Sequence, residues 1–226
     1  MKTLLTLVRK NRYFFVPFLA WAIIGGLLPL YFSKETLFLT INGPRSLWLD
    51  YFQTGLTYIG DGVTFGALLI GLLIGKKFRL FLVGTAAFLF VAIVVQLIKH
   101  YIDAPRPIAY FPDPSIVHTV AWVNVHSSLS FPSGHTSTAF AMCCFTAMML
   151  PVKAQKWALA LFAIALLAGY SRIYLAQHFY EDVYVGSIIG TTASLLMFWL
   201  FELRNTGAAY RQKTALQNAT ANLNAL

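Results

Sequence analysis

Charge is scarce in this sequence. Lys, Arg, Asp and Glu together supply 11% of its 226 residues, less than half the share of about 25% usual in soluble domains. So few charges cannot clothe a soluble core of this size, which argues against a soluble globular domain. Cysteine is nearly absent. Cys143 and Cys144 are neighbours within one apolar run, where adjacent helical positions disfavour an unstrained disulfide. They read as packing residues and carry no information on redox compartment. The chain also lacks a Gly/Ser linker and any internal repeat, so residues 1–204 read as one domain. A polar tail over 205–226, rich in Asn, Ala and Thr, is expected to be a loosely ordered cytoplasmic extension. No aromatic-basic stretch resembles a nucleic-acid surface, which excludes nucleic acid as a partner. No small-x-small cleavage pattern follows the first apolar run in LPLYFSKE. MKTLLTLVRKNR and that run therefore read as a retained first span, not a removable signal.

Hydrophobic runs are what the chain has in plenty, with 58% of its residues apolar. Five stand out at 13–32, 78–98, 135–151, 157–175 and 183–201, and a sixth at roughly 54–75 is interrupted near its start by IGDG. Each is close to the ~20 residues a helix needs to cross a bilayer core, and in lipid such segments must be helical to satisfy their backbone. The expected fold is all-α: a polytopic membrane protein with six transmembrane helices. Segments 1–12, 76–79, 153–156 and 204–213 hold twelve of the seventeen Lys and Arg residues. Basic residues favour cytoplasmic loops, so both termini are expected inside. Glu202 is then the one acidic residue on that side, and the other seven face outward with Lys34, Arg45, Lys99, Arg106 and Arg172. The net charge of +9 thus reads as membrane topology together with attraction to anionic lipid. On the outer side, residues 33–53 mix aromatic and charged residues as an amphipathic surface helix does, with a turn at NGP. Residues 99–134 form the longest connection, carry five prolines and are expected to form a partly structured cap.

Three polar clusters fall at outer span ends: KHYIDAPRP (99–107), PSGH (132–135) and SRIYLAQHFYED (171–182). Sharing one membrane face, they can converge. Lys99, Arg106 and Arg172 supply three cations, which suits a tetrahedral oxyanion with charge near −2, and arginine adds planar bidentate donation. PSGH resembles an anion cradle at a helix start, with Ser133 as cap and hydroxyl donor and Gly134 allowing close approach of the backbone N–H. His135 sits just inside that helix, placed to deliver a proton to a leaving oxygen. His178 and Asp182 are four apart and share a helical face. A carboxylate on one imidazole nitrogen fixes the tautomer and frees the other nitrogen for attack. Taken singly, each residue has a plainer reading. Span-end Lys and Arg snorkel to the interface, and neither SGH nor His-x-x-x-Asp alone specifies a site. His100, Asp103, Asp113, His118 and His126 read as solvent-exposed loop residues, and His118 and His126 lack the compact spacing of a zinc site. Thr136, Ser137, Thr191 and Thr192 read as helix-packing contacts. Gly169, Tyr170, Phe179 and Tyr180 read as packing residues too.

In combination the clusters are far more specific. Lys-x6-Arg-Pro, then Pro-Ser-Gly-His, then Ser-Arg-x5-His-x3-Asp resembles the three-part signature of the type 2 phosphatidic acid phosphatase (PAP2) family. The matching positions are Lys99, Arg106, Pro107, Pro132, Ser133, Gly134, His135, Ser171, Arg172, His178 and Asp182. That resemblance implies a six-span membrane phosphatase that works without metal or other cofactor, through a phosphohistidine. By position, it implies His178 as nucleophile, Asp182 as its orienting partner and His135 as general acid. Lys99, Arg106, Ser133, Gly134 and Arg172 would hold the phosphoryl oxygens. The expected substrate is a phosphorylated membrane lipid met at the outer face of a bacterial inner membrane. Undecaprenyl pyrophosphate, phosphatidylglycerol phosphate, phosphatidic acid and lipid A phosphates all remain open. Phosphotransfer to another acceptor is an alternative. A transporter reading is disfavoured because the span centres carry no charge. Vanadium haloperoxidases, whose site resembles this one, are soluble, and six spans argue against them.

Overall fold

The computed structural model describes residues 4–43 and 46–223, with side chains described to residue 203. Lys2 and Arg45 lie outside the described residues, as do the side chains of Arg204, Arg211 and Lys213. Among the described residues ten α-helices succeed one another: α1 (Leu4–Lys10), α2 (Arg12–Tyr31), α3 (Lys34–Asn42), α4 (Leu47–Thr57), α5 (Gly62–Ile74), α6 (Phe78–Ile102), α7 (Pro107–Tyr110), α8 (Gly134–Met149), α9 (Trp157–Tyr174) and α10 (Tyr180–Leu223). No strand occurs among the described residues. Five of the apolar runs each fall on one helix, and the run at 54–75 is divided between α4 and α5. Among the described residues four helices are long and apolar enough to cross a membrane, or five if α4 and α5, bent by 50° at their junction, form one span. At 16 residues α8 is shorter than these. The expected surface helix at 33–53 is two helices, α3 and α4, each capped by a serine: Ser33 Oγ accepts from Thr36 N at 3.2 Å and Ser46 Oγ from Leu49 N at 3.2 Å. Helix α10 continues to Leu223, through the tail for which loosely ordered chain is expected. Ala, Gln, Leu, Lys and Arg in that stretch are good helix formers, which accounts for the difference.

The bundle is built around α8. Nearly every residue from Thr136 to Met148 is buried, although the helix is rich in Thr, Ser, Ala and Cys. One side packs on Phe14, Phe18 and Phe162, and the other on Phe65, Val91, Val95 and Ala193. Small residues let backbones approach, as is usual between membrane helices. Contact with α10 is closest at Gly190, where an added Cβ would run into the Ser137 carbonyl oxygen and lie 2.9 Å from Ala141 N. Ser194 Oγ reinforces this crossing by donating to Ala141 O at 2.7 Å. Cys143 and Cys144 are buried free thiols. Thr136, Ser137 and Thr191 are buried, whereas Thr192 is exposed and makes no packing contact of the kind expected for it. The outward faces of the long helices are apolar, with Ile23, Ile24, Leu30, Ile70, Ile74, Leu82, Ile93 and Leu97 exposed, as a hydrocarbon surrounding requires.

Between α6 and α8 the chain forms a cap over one end of the bundle. Phe111 and Val117 of the cap pack with Phe38 of α3 and with Ile173, Ala176 and Phe179. Asn42 pins it by polar bonds: its Nδ2 donates to His118 O at 2.9 Å and Tyr174 O at 2.8 Å, and its Oδ1 accepts from His118 N at 2.8 Å. His118 is not the exposed loop residue that its sequence context suggests. Its Nε2 lies 3.3 Å from Asp50 Oδ1, which also accepts from the Tyr174 hydroxyl at 2.8 Å.

The α8–α10 crossing can be tested directly. Gly190→Leu forces the two backbones apart and is expected to cost about 1–3 kcal/mol through overpacking. A lowered thermal unfolding midpoint of the detergent-purified protein reads this. An unchanged midpoint would mean that the helices do not meet there.

Candidate active site

Chain direction and capping decide what reaches the cap end. Helix α6 ends where Asp103 adopts left-handed geometry, φ 44°, with Lys99 in its last turn. Helix α8 begins there with Ser133 as N-cap, its Oγ accepting from Thr136 N at 3.3 Å and from Thr136 Oγ1 at 2.8 Å. Helix α9 ends there with Arg172, and α10 starts two residues before Asp182. The three sequence clusters therefore converge.

The segment 127–133 joins them physically. Arg106 donates its backbone N–H to Ser127 O and its Nε to Ser128 O, both at 2.9 Å. Lys99 Nζ donates to Leu129 O and to Ser130 O, the latter at 3.3 Å. Ser130 N donates to Ala104 O at 2.9 Å, and Ser133 N to Asp182 O at 3.0 Å. Arg106 Nη1 also reaches Gln177 twice, at O (3.1 Å) and Oε1 (2.8 Å). Gln177 is held in turn by donating its Nε2 to Asn124 O at 2.9 Å. Arg172 Nη1 donates to Thr57 Oγ1 at 2.5 Å, while its Nε is buried without a hydrogen-bond partner.

Burial of these cations is the site's dominant electrostatic fact. Lys99, Arg106 and Arg172 are 7%, 9% and 6% exposed, and none forms a salt bridge among the described residues. Neutral carbonyls and a hydroxyl are their hydrogen-bond partners. The nearby buried carboxylate, Asp182, is committed elsewhere. Its Oδ2 accepts from Phe179 N at 2.9 Å and from Ser130 Oγ, and lies 3.3 Å from His178 Nδ1. His178 is fully buried in the turn between α9 and α10. Burial lowers its imidazole to about 3, with Asp182 pulling in the opposite direction, so the ring is neutral near pH 7. With Nδ1 against the carboxylate, Nε2 is the nitrogen left with a lone pair.

His135 has different surroundings. It is half-buried and lines a cavity of about 180 Å³ with Gly60, Phe88, Val91, Val95 and Gln96. Gly60 lets the α4–α5 junction press against it, since a Cβ there would sit 2.5 Å from the His135 carbonyl oxygen. Three buried cations close to a neutral imidazole, with a second histidine on the helix that Ser133 caps, suit phosphoryl transfer, whose catalysis is mostly charge stabilisation and positioning.

Every residue singled out in the three clusters reaches this end of the bundle. Sequence reasoning misses Ser130, Gln177, Thr57 and Asn42, which are buried and hydrogen-bonded around them. Ser130 and Gln177 sit beside motif residues, but nothing in a single sequence distinguishes them from spacers. No group of three His, Cys, Asp or Glu side chains able to hold a metal occurs among the described residues.

Comparison with known proteins agrees with this geometry. Phosphatidylglycerophosphatase B of Bacillus subtilis is 30% identical over 167 residues, covering 69% of this chain and 75% of that one. The undecaprenyl-diphosphatase BcrC of the same organism is 34% identical over 98 residues, 42% of this chain and 49% of its own length. The chain thus spans only about half of that relative. Among solved structures, LpxE of Aquifex aeolicus superposes with a TM-score of 0.60 at 32% identity, covering 72% of this chain and 92% of that one. The PAP2-type phosphatidylglycerolphosphate phosphatase of B. subtilis superposes at 0.56 with 26% identity, covering 92% and 98%. A model of the PAP2 superfamily matches residues 78–206, which hold all three clusters and the helices that carry them, so the chain belongs to that superfamily.

Proposed function

We propose that this protein is a lipid phosphatase, hydrolysing a phosphate monoester or pyrophosphate on a membrane lipid through a phosphohistidine. The observation that carries the reading is the set of three buried cations left without carboxylate partners around the His178–Asp182 pair. Burying charge is costly unless it is compensated, and a bound phosphoryl group compensates all three at once. In the first step His178 Nε2 attacks phosphorus and the bond to the leaving oxygen breaks. His135 donates its proton to that oxygen. Water then attacks the phosphohistidine, His135 takes the water's proton, the P–N bond breaks and phosphate departs. Lys99, Arg106, Arg172, the Ser133 hydroxyl and the amide of Gly134 hold the equatorial oxygens. Asp182 keeps the proton on Nδ1 and steadies the imidazolium character that develops.

The same reading takes α8 as a sixth span, short because its site end is buried beneath the cap. The distribution of basic residues supports both termini on the cytoplasmic side and the site on the outer face of a bacterial inner membrane. The relatives' names support undecaprenyl pyrophosphate, phosphatidylglycerol phosphate or lipid A as substrate, and phosphatidic acid stays a fourth candidate.

Phosphate release by the purified protein over these four lipids, in chelator, tests the activity. Wild type is expected to release phosphate and His178→Ala to lose turnover by roughly 1,000-fold or more. Equal rates in both would exclude His178 as nucleophile, and loss of lipid phosphate without release of inorganic phosphate would indicate transfer to another acceptor. Arg172→Ala is expected to lower kcat/KM by less, roughly 10- to 1,000-fold, as for loss of one electrostatic donor. Steady-state kinetics on the best lipid of the four reads this. At the C-terminus, a fused reporter that works only in the cytoplasm should be active. A periplasm-dependent reporter active there would reverse the orientation.

A further inference from the structure

Ser130 lies outside all three motif clusters, yet it touches two of them and sits beside the third. Its side chain donates to Asp182 Oδ2 and lies 3.5 Å from His178 Nδ1. Its backbone N–H donates to Ala104 O at 2.9 Å, and its carbonyl accepts from Lys99 Nζ at 3.3 Å. It is wholly buried. Building on the phosphohistidine reading, we infer that Ser130 is a positioning residue that fixes the tautomer of His178 and locks Asp182 to the arm carrying Lys99.

The argument rests on which atoms have hydrogens to give. An ionised carboxylate only accepts, so the hydroxyl hydrogen of Ser130 is spent on Asp182 Oδ2. What the hydroxyl oxygen then offers to Nδ1 is a lone pair. Nδ1 is therefore flanked by two acceptors, Asp182 Oδ2 and Ser130 Oγ, and must carry the ring's hydrogen, which leaves the lone pair on Nε2. The carboxylate gains as well. Its Oδ2 accepts from Ser130 Oγ, Phe179 N and His178 Nδ1, and the first two donors keep it in place and weaken its tendency to take the imidazole's proton outright. Because Ser130 also binds Lys99 through its carbonyl, the carboxylate and a phosphate-binding cation keep a common spacing.

Removing one oxygen isolates the effect. In chemical-quench experiments with ³²P-labelled phosphatidic acid, Ser130→Ala is expected to slow phosphohistidine formation by roughly 10- to 100-fold, as for loss of a hydrogen bond to a charged group. KM should stay within about twofold, because the cations that bind phosphate are untouched. Ser130→Thr, which keeps the hydroxyl, should restore most of the rate. Ser130→Ala placed on Asp182→Asn should cost nothing further, since the serine acts through that carboxylate. Thermal unfolding in detergent verifies that each variant is folded. An unimpaired Ser130→Ala beside an inactive His178→Ala overturns the assignment alone. So does a defect confined to KM, or an equal loss in both backgrounds. A fully active His178→Ala overturns the phosphohistidine reading and the assignment with it.

Discussion

Everything at the site end of this bundle answers to one constraint, the burial of three cations solvated by dipoles and not neutralised by charges. Lys99 is met by the carbonyls of Leu129 and Ser130, Arg106 by those of Ser128 and Gln177, and Arg172 by the Thr57 hydroxyl. A carboxylate on any of them would be a stronger partner, but it would compete with a phosphate for the same donors. Carbonyl dipoles hold a cation in place and leave its charge to act at a distance. Such solvation demands chain that is extended, buried and free of its own ladder partners. The stretch 127–133 meets the demand for free carbonyls: it has no regular secondary structure, it runs from exposed Ser127 and Ser128 to buried Ser130 and Ser133, and its carbonyls are turned to Lys99 and Arg106. Its own bonds to Ala104 and Asp182 hold it in place.

The same constraint explains the unusual composition of α8. A helix whose N-terminus must lie at the centre of the site has to run through the middle of the bundle, where it is surrounded on all sides. Large side chains all round would hold its neighbours away. Ala139, Ala141, Cys143, Cys144 and Ala147 instead allow α9 and α10 to come close enough for Arg172 and Asp182 to arrive beside Ser133. Gly190, where α10 crosses the Ser137 backbone, is the counterpart of this on the other helix. Packing in the apolar half and charge placement at the polar end are thus one design problem: the register of α10 against α8 sets where Asp182 stands.

Much of this is legible in the sequence, for a physical reason. Apolar runs long enough to span lipid leave few structural options: five of the six coincide with single helices, and the run at 54–75 is divided between α4 and α5. The three polar clusters are conspicuous because charge is so rare elsewhere. What stays illegible are neutral residues acting through geometry. Ser130, Gln177 and Thr57 look like any loop or helix polar residue, and their roles exist only once chain distant in sequence is brought beside them. Asp50 and His118 escape sequence reasoning for the same reason: a loop histidine is usually solvated, and only the cap's closure brings the two together under Tyr174. The polar tail differs from expectation in another way, since polarity suggests looseness whereas its individual residues favour helix.

The two histidines show how one pocket can separate two roles without any difference in residue type. His178 is fully enclosed, and its Nδ1 faces acceptors on two sides; burial keeps it neutral, which is what a nucleophile requires. His135 is half-buried beside a cavity whose walls include Phe88, Val91 and Val95, with the amide of Gln96 among them. In the proposed mechanism a group departing from phosphorus opposite His178 leaves away from Asp182 and Ser130, which lie beside that ring's Nδ1. The proposed acid, His135, is the less buried of the two and so the better placed to exchange a proton with water. The proposed assignment of nucleophile and acid therefore rests on the burial of each ring and on the carboxylate beside His178 Nδ1.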